Sequence, residues 1–229
     1  MTALALMGLL PDGARATGRV EMGGRDILGL PESEMCALRG REIGMIFQEP
    51  MTALNPVQTI GAQVAETLVV HGAADRAGAR AAAADRLARV GLPADRVPPT
   101  RYPHELSGGQ RQRVCIAMAV ALSPKLLIAD EPTTALDVTT QAKILDLLGR
   151  LVAEDGMSLM LITHDLSVVA GMADRVAVMQ EGRIVETAAT EALFRRRAHP
   201  YTRRLFAAAS HVPGRTAAAA GARPAPLLE

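Results

Sequence analysis

The chain has 229 residues, nearly half of them hydrophobic, with 25 basic against 24 acidic side chains. That length buries one sizeable core or two small lobes. The balanced charge, the absence of tryptophan and only three phenylalanines offer no basic or base-stacking surface, so no nucleic-acid partner is expected. Cys36 and Cys115 stand far apart in no ligand or redox spacing, which fits a reduced, cytosolic compartment. The apolar first ten residues lack a basic n-region, and no apolar run is long enough to span a bilayer. Any membrane association is therefore expected through a protein partner.

In chain order, residues 2–10 read as a short buried helix, and Val20–Leu30 as a small hairpin or edge strand. Ile43–Phe47 reads as a strand that ends at Gln48. Ile60–Val70 and Ala74–Val90 read as helices, the second rich in alanine and arginine. Gly91–Glu105 is irregular, because Pro93, Pro98, Pro99 and Pro103 break any helix. A helix over Arg111–Leu122 puts Val114, Ala117, Met118 and Ala121 on one face. Leu126–Ala129 is a buried strand with Asp130 and Glu131 at its polar end. Asp137 caps a helix over Val138–Val152, with Ile144, Leu148 and Leu151 inward. Ser158–Ile162 and Val176–Met179 are strands, and Arg183–Val185 pairs with the latter across Glu181-Gly182. Strand and helix alternate with apolar strands, so the fold class is α/β, a sheet covered on both faces. From Ala207 the chain is rich in Ala, Pro, Gly and Arg and reads as a linker.

Four segments carry chemistry. Leu106-Ser107-Gly108-Gly109-Gln110 opens a helix, and its backbone amides and positive helix end suit a phosphate. The same pattern on its own is an ordinary capped loop. Leu126–Pro132 delivers two carboxylates to the carboxyl end of a strand, where open α/β sheets bind ligands. Asp130 suits Mg2+, and Glu131 suits polarising an attacking water. Leu161-Ile162-Thr163-His164 repeats the arrangement with a histidine able to donate to a γ-phosphate or position the water. Gln48 follows its strand as a carries-oxygen amide for Mg2+ or the water.

Taken in order, these segments resemble the nucleotide-binding domain of ABC transporters, over residues 1 to about 210. Gln48 matches the Q-loop, Leu106–Arg113 the signature, Leu126–Pro132 the Walker B strand, Ala135-Leu136-Asp137 the D-loop and His164 the switch histidine. Arg101–Glu105 and His199–Arg203 look like the oligopeptide, dipeptide and nickel importer branch. The resemblance implies a P-loop NTPase-like core with a helical lobe. It divides the chain into partial core (1–48), helical lobe (49–109), core (110–206) and linker or tail (207–229). It implies ATP and Mg2+ as cofactors, with Glu131 and His164 catalytic and Gln48 and Asp130 at the metal. Ser107, Gly108, Gly109, Gln110 and Asp137 would meet nucleotide across a head-to-tail dimer with a second ABC ATPase domain. Two transmembrane permease subunits would be moved by ATP-driven closure at the cytoplasmic face of the membrane, with a periplasmic solute-binding protein acting indirectly.

One family element does not occur: the sequence holds no G-x-x-x-x-G-K-[ST], and neither Lys125 nor Lys143 lies in a glycine-rich loop. Thr2–Pro11 resembles the segment that follows the family's P-loop Lys-Ser, so the chain is expected to begin just downstream of that loop and its first β-strand. Pro226-Leu227-Leu228-Glu229 resembles the opening of a second ABC domain. Without the loop, little ATPase activity is expected. A soluble ABC ATPase of translation or repair, and a non-catalytic permease- or motor-binding protein, are the competing readings. The transported solute is not encoded, because the motor does not touch it.

Overall fold

Three parallel strands form the central sheet of the computed structural model, which describes residues 1–49 and 53–210. They are β3 (Ile43–Ile46), β4 (Leu126–Asp130) and β5 (Ser158–Ile162), in that order across the sheet. Ile43 pairs with Leu126 and Leu126 with Ser158, so the three strands run in step to their carboxyl ends. Leu127, Ile128 and Ala129 of the middle strand are fully buried, as a strand covered on both faces requires.

Period-two alternation sends neighbouring residues to opposite faces. On one face Ile43 and Ile128 pack with Ala3 and Met7 from around α1 (Thr2–Leu6), with Ile27 beside them. The hairpin of β1 (Glu21–Met22) and β2 (Arg25–Asp26) adds Val20 and Met22 to the rim of this cluster. Arg39, after α2 (Glu32–Leu38), donates to the Met7 carbonyl at 2.9 Å and pairs with Glu32, fastening α1 to α2. The other face of β3 lies against α5 (Gly108–Ala119): a Cβ added to Gly44 would collide with the Ala119 carbonyl oxygen and with Pro124.

The helices α3 (Ile60–Val70), α4 (Arg76–Arg89) and α5 pack on one another, and α5 also touches β3 and α6 (Val138–Asp155). On α4 the buried positions are Ala79, Ala83 and Leu87, an i, i+4, i+8 stripe whose small residues admit α3 closely. Thr59 and Asp75 cap α3 and α4, accepting from the amides of Ala62 and Gly78. The proline-rich segment is irregular apart from a 3-10 turn at Pro103–Glu105. It serves α3, whose first amides, Ile60 and Gly61, donate to the carbonyls of Arg101 and Pro99, each at 2.8 Å.

These elements belong to a compact unit spanning Met1–His164; residues from Asp165 form a second. In the second unit, α7 (Leu166–Met172) is capped by Asp165, which accepts from the Ser167 amide at 2.8 Å. Strands β6 (Arg175–Gln180) and β7 (Arg183–Ala189) form the expected hairpin, with Glu181 and Gly182 both at positive φ. Val178, Leu193 and Phe206 make its core, with α8 (Thr190–Arg196) and α9 (Pro200–Ser210). Glu186 of β7 accepts from the amides of Ala198 and His199 at 2.9 Å and from the Thr202 hydroxyl at 2.5 Å. These bonds hold its carboxyl below the usual glutamate range.

Several boundaries differ from the sequence reading. Strand β3 stops at Ile46, leaving Phe47 43% exposed. Helix α5 begins at Gly108, three residues before Arg111, because Ser107 caps it, and ends at Ala119. Helix α2 carries no capping side chain and buries only Met35, so its sequence holds little helical signal. Helix α9 continues past Ala207 to Ser210. The terminal Pro226–Glu229 lies outside the described residues, as does the Pro50–Thr52 part of the Q-loop match.

At the carboxyl end of α6, Asp155 takes two bonds from the Arg89 guanidinium, at 2.9 and 2.5 Å, and Glu154 a third at 3.1 Å. The Arg89 and Asp155 side chains are only 22% and 13% exposed, so the pair lies between the surface and buried regimes. Replacing Arg89 by alanine is expected to lower the unfolding free energy by about 2 kcal/mol in urea denaturation.

Candidate functional site

Parallel pairing brings the carboxyl ends of β3, β4 and β5 to one edge of the sheet, and each strand releases a polar residue there. From β4 come Asp130, the last strand residue, and then Glu131. From β5 comes His164, two residues past Ile162. From β3 comes Gln48, two residues past Ile46 and exposed. The last paired residues of these two strands are Ile46 and Ala129, so Gln48 and Asp130 leave adjacent strands at the same edge of the sheet.

Glu131 and His164 meet directly. The imidazole Nδ1 lies 2.7 Å from Glu131 Oε1, and the His164 amide donates to the same oxygen at 3.1 Å. The second carboxylate oxygen accepts from the Thr134 hydroxyl at 3.3 Å. Carboxylate oxygens accept, so the ring donates to Glu131 from Nδ1. The Glu131 side chain is 16% exposed and that of His164 83%, so the carboxylate is shielded while its partner reaches solvent.

The backbone at Glu131 is unusual. Its φ of +48° lies in the left-handed region that non-glycine residues rarely occupy. The ladder imposes this: the Glu131 amide still donates to the Ile162 carbonyl at 2.9 Å, and the chain must then turn into Pro132.

A second group surrounds the start of α5. Ser107 Oγ accepts from the Gln110 amide at 3.3 Å, and Gln110 Oε1 accepts from the Ser107 amide at 2.9 Å, a reciprocal capping box. The Arg111 amide begins the helical ladder on the Ser107 carbonyl. The amides of Gly108 and Gly109 serve neither arrangement, which leaves two adjacent donors at the positive end of a 12-residue helix. A Cβ on Gly109 would lie 2.5 Å from Thr140 Cγ2, and one on Gly108 3.6 Å from Leu136 Cδ2. The signature turn therefore rests on the segment that holds Asp137. Asp137 caps α6, accepting from the Thr140 amide at 2.9 Å, and the Thr140 bonds hold its carboxyl below the ordinary 3.8.

Sequence reasoning singled out neither Thr134 nor Thr140, and it held Gln112 only as part of the Leu106–Arg113 stretch, with no role of its own. Gln112 donates to the Pro132 carbonyl at 2.7 Å from the buried side of α5. A signal existed: Val114, Cys115, Ile116 and Ala117 are consecutive apolar residues, so α5 is immersed nearly all round and a polar residue on it can be interior. Burial also pushes the Cys115 thiol up to about 12, making it a packing residue with no thiolate chemistry.

The donor set suits a hard cation that keeps phosphate and water ligands. Asp130 and Gln48 offer oxygens at adjoining strand ends, and among the described residues no group of three or more His, Cys, Asp or Glu could form an all-protein cage. The paired glycine amides suit a phosphate oxygen.

A family model described as ABC transporter matches residues 2–134. The chain is 54% identical over 213 residues to the peptidoglycan transport ATP-binding protein YejF of Agrobacterium fabrum, covering 91% of this chain and 38% of that protein. It is 50% identical to the oligopeptide transport ATP-binding proteins OppD of Bacillus subtilis and Salmonella typhimurium, covering 58% and 60% of those proteins and 90% and 88% of this chain. The chain thus spans between 38% and 60% of the length of these relatives. Its fold is similar to a dimeric post-hydrolysis state of the ATP-binding cassette MJ0796 bound to ADP and Pi, with a TM-score of 0.67 and 32% identity over 76% of this chain and 74% of that one.

Gly109→Val should press on Thr140 and cost about 1–3 kcal/mol in urea denaturation. Thr140→Ser should recover part of that loss in the double variant, because the two sites share one contact. On acidification, the Asp137 cap is present above the unfolded aspartate range and is lost as pH falls through its lowered folded value. Asp137→Asn should therefore flatten the acid limb of a stability–pH profile.

Proposed function

The chain belongs to the ABC transporter family, and from that premise we propose that it is the ATP-binding and ATP-hydrolysing part of an importer of peptides or related small solutes. What supports the reaction is the Glu131–His164 contact beside Asp130 at the open edge of the sheet. What supports the solute class is the similarity to peptide-transport proteins over about nine-tenths of the chain.

In this reading Glu131 takes the proton of an attacking water as its oxygen bonds to the γ-phosphorus, and the bond from that phosphorus to the β–γ bridging oxygen breaks to release ADP and phosphate. His164 holds the carboxylate through Nδ1 and its amide, and its ring bears on the transferring phosphoryl group. Asp130 and Gln48 would hold Mg2+, whose charge would offset that of the phosphate oxygens. Ser107 and the amides of Gly108 and Gly109 receive the γ-phosphate of a nucleotide carried by a second ABC domain, with Gln110 shaping the turn. Asp137 links the two sites across that dimer. The domain division follows the same reading: the helical lobe is residues 49–109 and the core elements flank it.

The transport step belongs to partners: two transmembrane permease subunits, with a periplasmic binding protein delivering solute. The motor acts at the cytoplasmic face of the membrane. No helix among the described residues is long and apolar enough to cross it.

The sequence supplies no glycine-rich lysine loop, and that loop provides most β- and γ-phosphate contacts in P-loop NTPases. The purified 229-residue chain should accordingly show little Mg2+-dependent ATP turnover; rates of about 1 per second or more, ordinary for enzymes, would count against this assignment of roles. Where the chromosomal locus supports uptake of labelled oligopeptides, Glu131→Gln there should abolish it. Undiminished uptake of peptides in that strain would sink the importer reading.

A further inference from the structure

Gln112 sits one turn into α5 and is 1% exposed. Its Nε2 donates to the Pro132 carbonyl at 2.7 Å. Its Oε1 is buried and meets no hydrogen-bond donor among the described residues. A half-satisfied buried amide is unfavourable, and a methionine of similar volume would fill the same space without that cost. Packing therefore gives no reason for an amide here; the bond to Pro132 does.

Pro132 follows Glu131, whose left-handed backbone persists only where the surroundings over-determine it. Three bonds do so. The Glu131 amide is held by the Ile162 carbonyl, the Glu131 carbonyl accepts from the Thr134 amide at 3.2 Å, and the Pro132 carbonyl is held by Gln112. The first two arise from β5 and from the turn itself. The third arrives from the helix whose first turn is the Ser107–Gln110 capping box.

We propose that Gln112 is a positioning residue that fixes the Glu131–Pro132 turn, keeps the Glu131 carboxylate on His164 and ties the start of α5 to that carboxylate. The proposal rests on Glu131 and His164 being the catalytic pair, but the contact itself is measurable without turnover.

Gln112→Met removes both polar ends at nearly constant volume. It should still fold, with a melting temperature within a few degrees of the wild type, because loss of the unpartnered Oε1 offsets part of the cost of leaving the Pro132 carbonyl without its donor. The His164 ring should nonetheless change: nitrogen-15 spectra should show the Nδ1–H tautomer in the wild type and a shift toward Nε2–H in Gln112→Met. Glu131→Ala gives the reference for a lost contact. Gln112→Leu repeats the test with a different shape. Unfolding of both variants, or a wild-type His164 spectrum in a folded one, overturns the proposal.

At the chromosomal locus Gln112→Met should lower peptide uptake about tenfold, the size of one lost neutral hydrogen bond. Wild-type uptake in Gln112→Met beside none in Glu131→Gln overturns its functional half. Wild-type uptake in Glu131→Gln overturns the importer reading instead, and the histidine spectra still decide the role of Gln112.

Discussion

The backbone ladder between β4 and its two parallel neighbours governs the placement of the polar residues at the sheet edge. Because Leu126 pairs with both Ile43 and Ser158, the three strands end at one level. A slip of one residue would exchange the faces of Leu127, Ile128 and Ala129 and misfit each against the opposite packing layer. The apolar faces thus enforce the register, and the register sets Gln48, Asp130, Glu131 and His164 at a common edge. The cost of a misplaced core residue, a few kcal/mol each, exceeds anything the exposed polar residues at that edge can contribute.

Strain at Glu131 follows from the same ladder. The strand bond to Ile162 extends beyond the last regular residue, and Pro132 cannot donate a bond of its own. The carboxylate emerges from a backbone fixed at both ends, with Oε1 on His164 and Oε2 on Thr134. A group held this way has little conformational freedom left to lose.

Helix α5 joins the two clusters. Its first turn presents the glycine amides beside Thr140, its second reaches Pro132 through Gln112, and its last lies against Gly44 of β3. Immersion of the helix explains why small residues recur along it and why a glutamine can lie inside. The second unit is built on different means, with Glu186 gathering three donors and Phe194 meeting Phe206 edge-on at 4.7 Å.

Much of this was legible in the residues. The strands Leu126–Ala129 and Ser158–Ile162, the helix Ile60–Val70 and the Asp137 cap follow from apolar runs, periodicity and side-chain capping, all of which act over a few neighbours. The motif order identified the α/β class and the residues of the sheet edge. Tertiary structure alone decided that Glu131 and His164 touch, that Gly109 rests on Thr140 and that Gln112 faces inward. Those contacts join residues 33, 31 and 20 positions apart in the chain. Local propensity carries no information about such separations. They are set by which apolar faces find each other when the sheet and α5 are buried together.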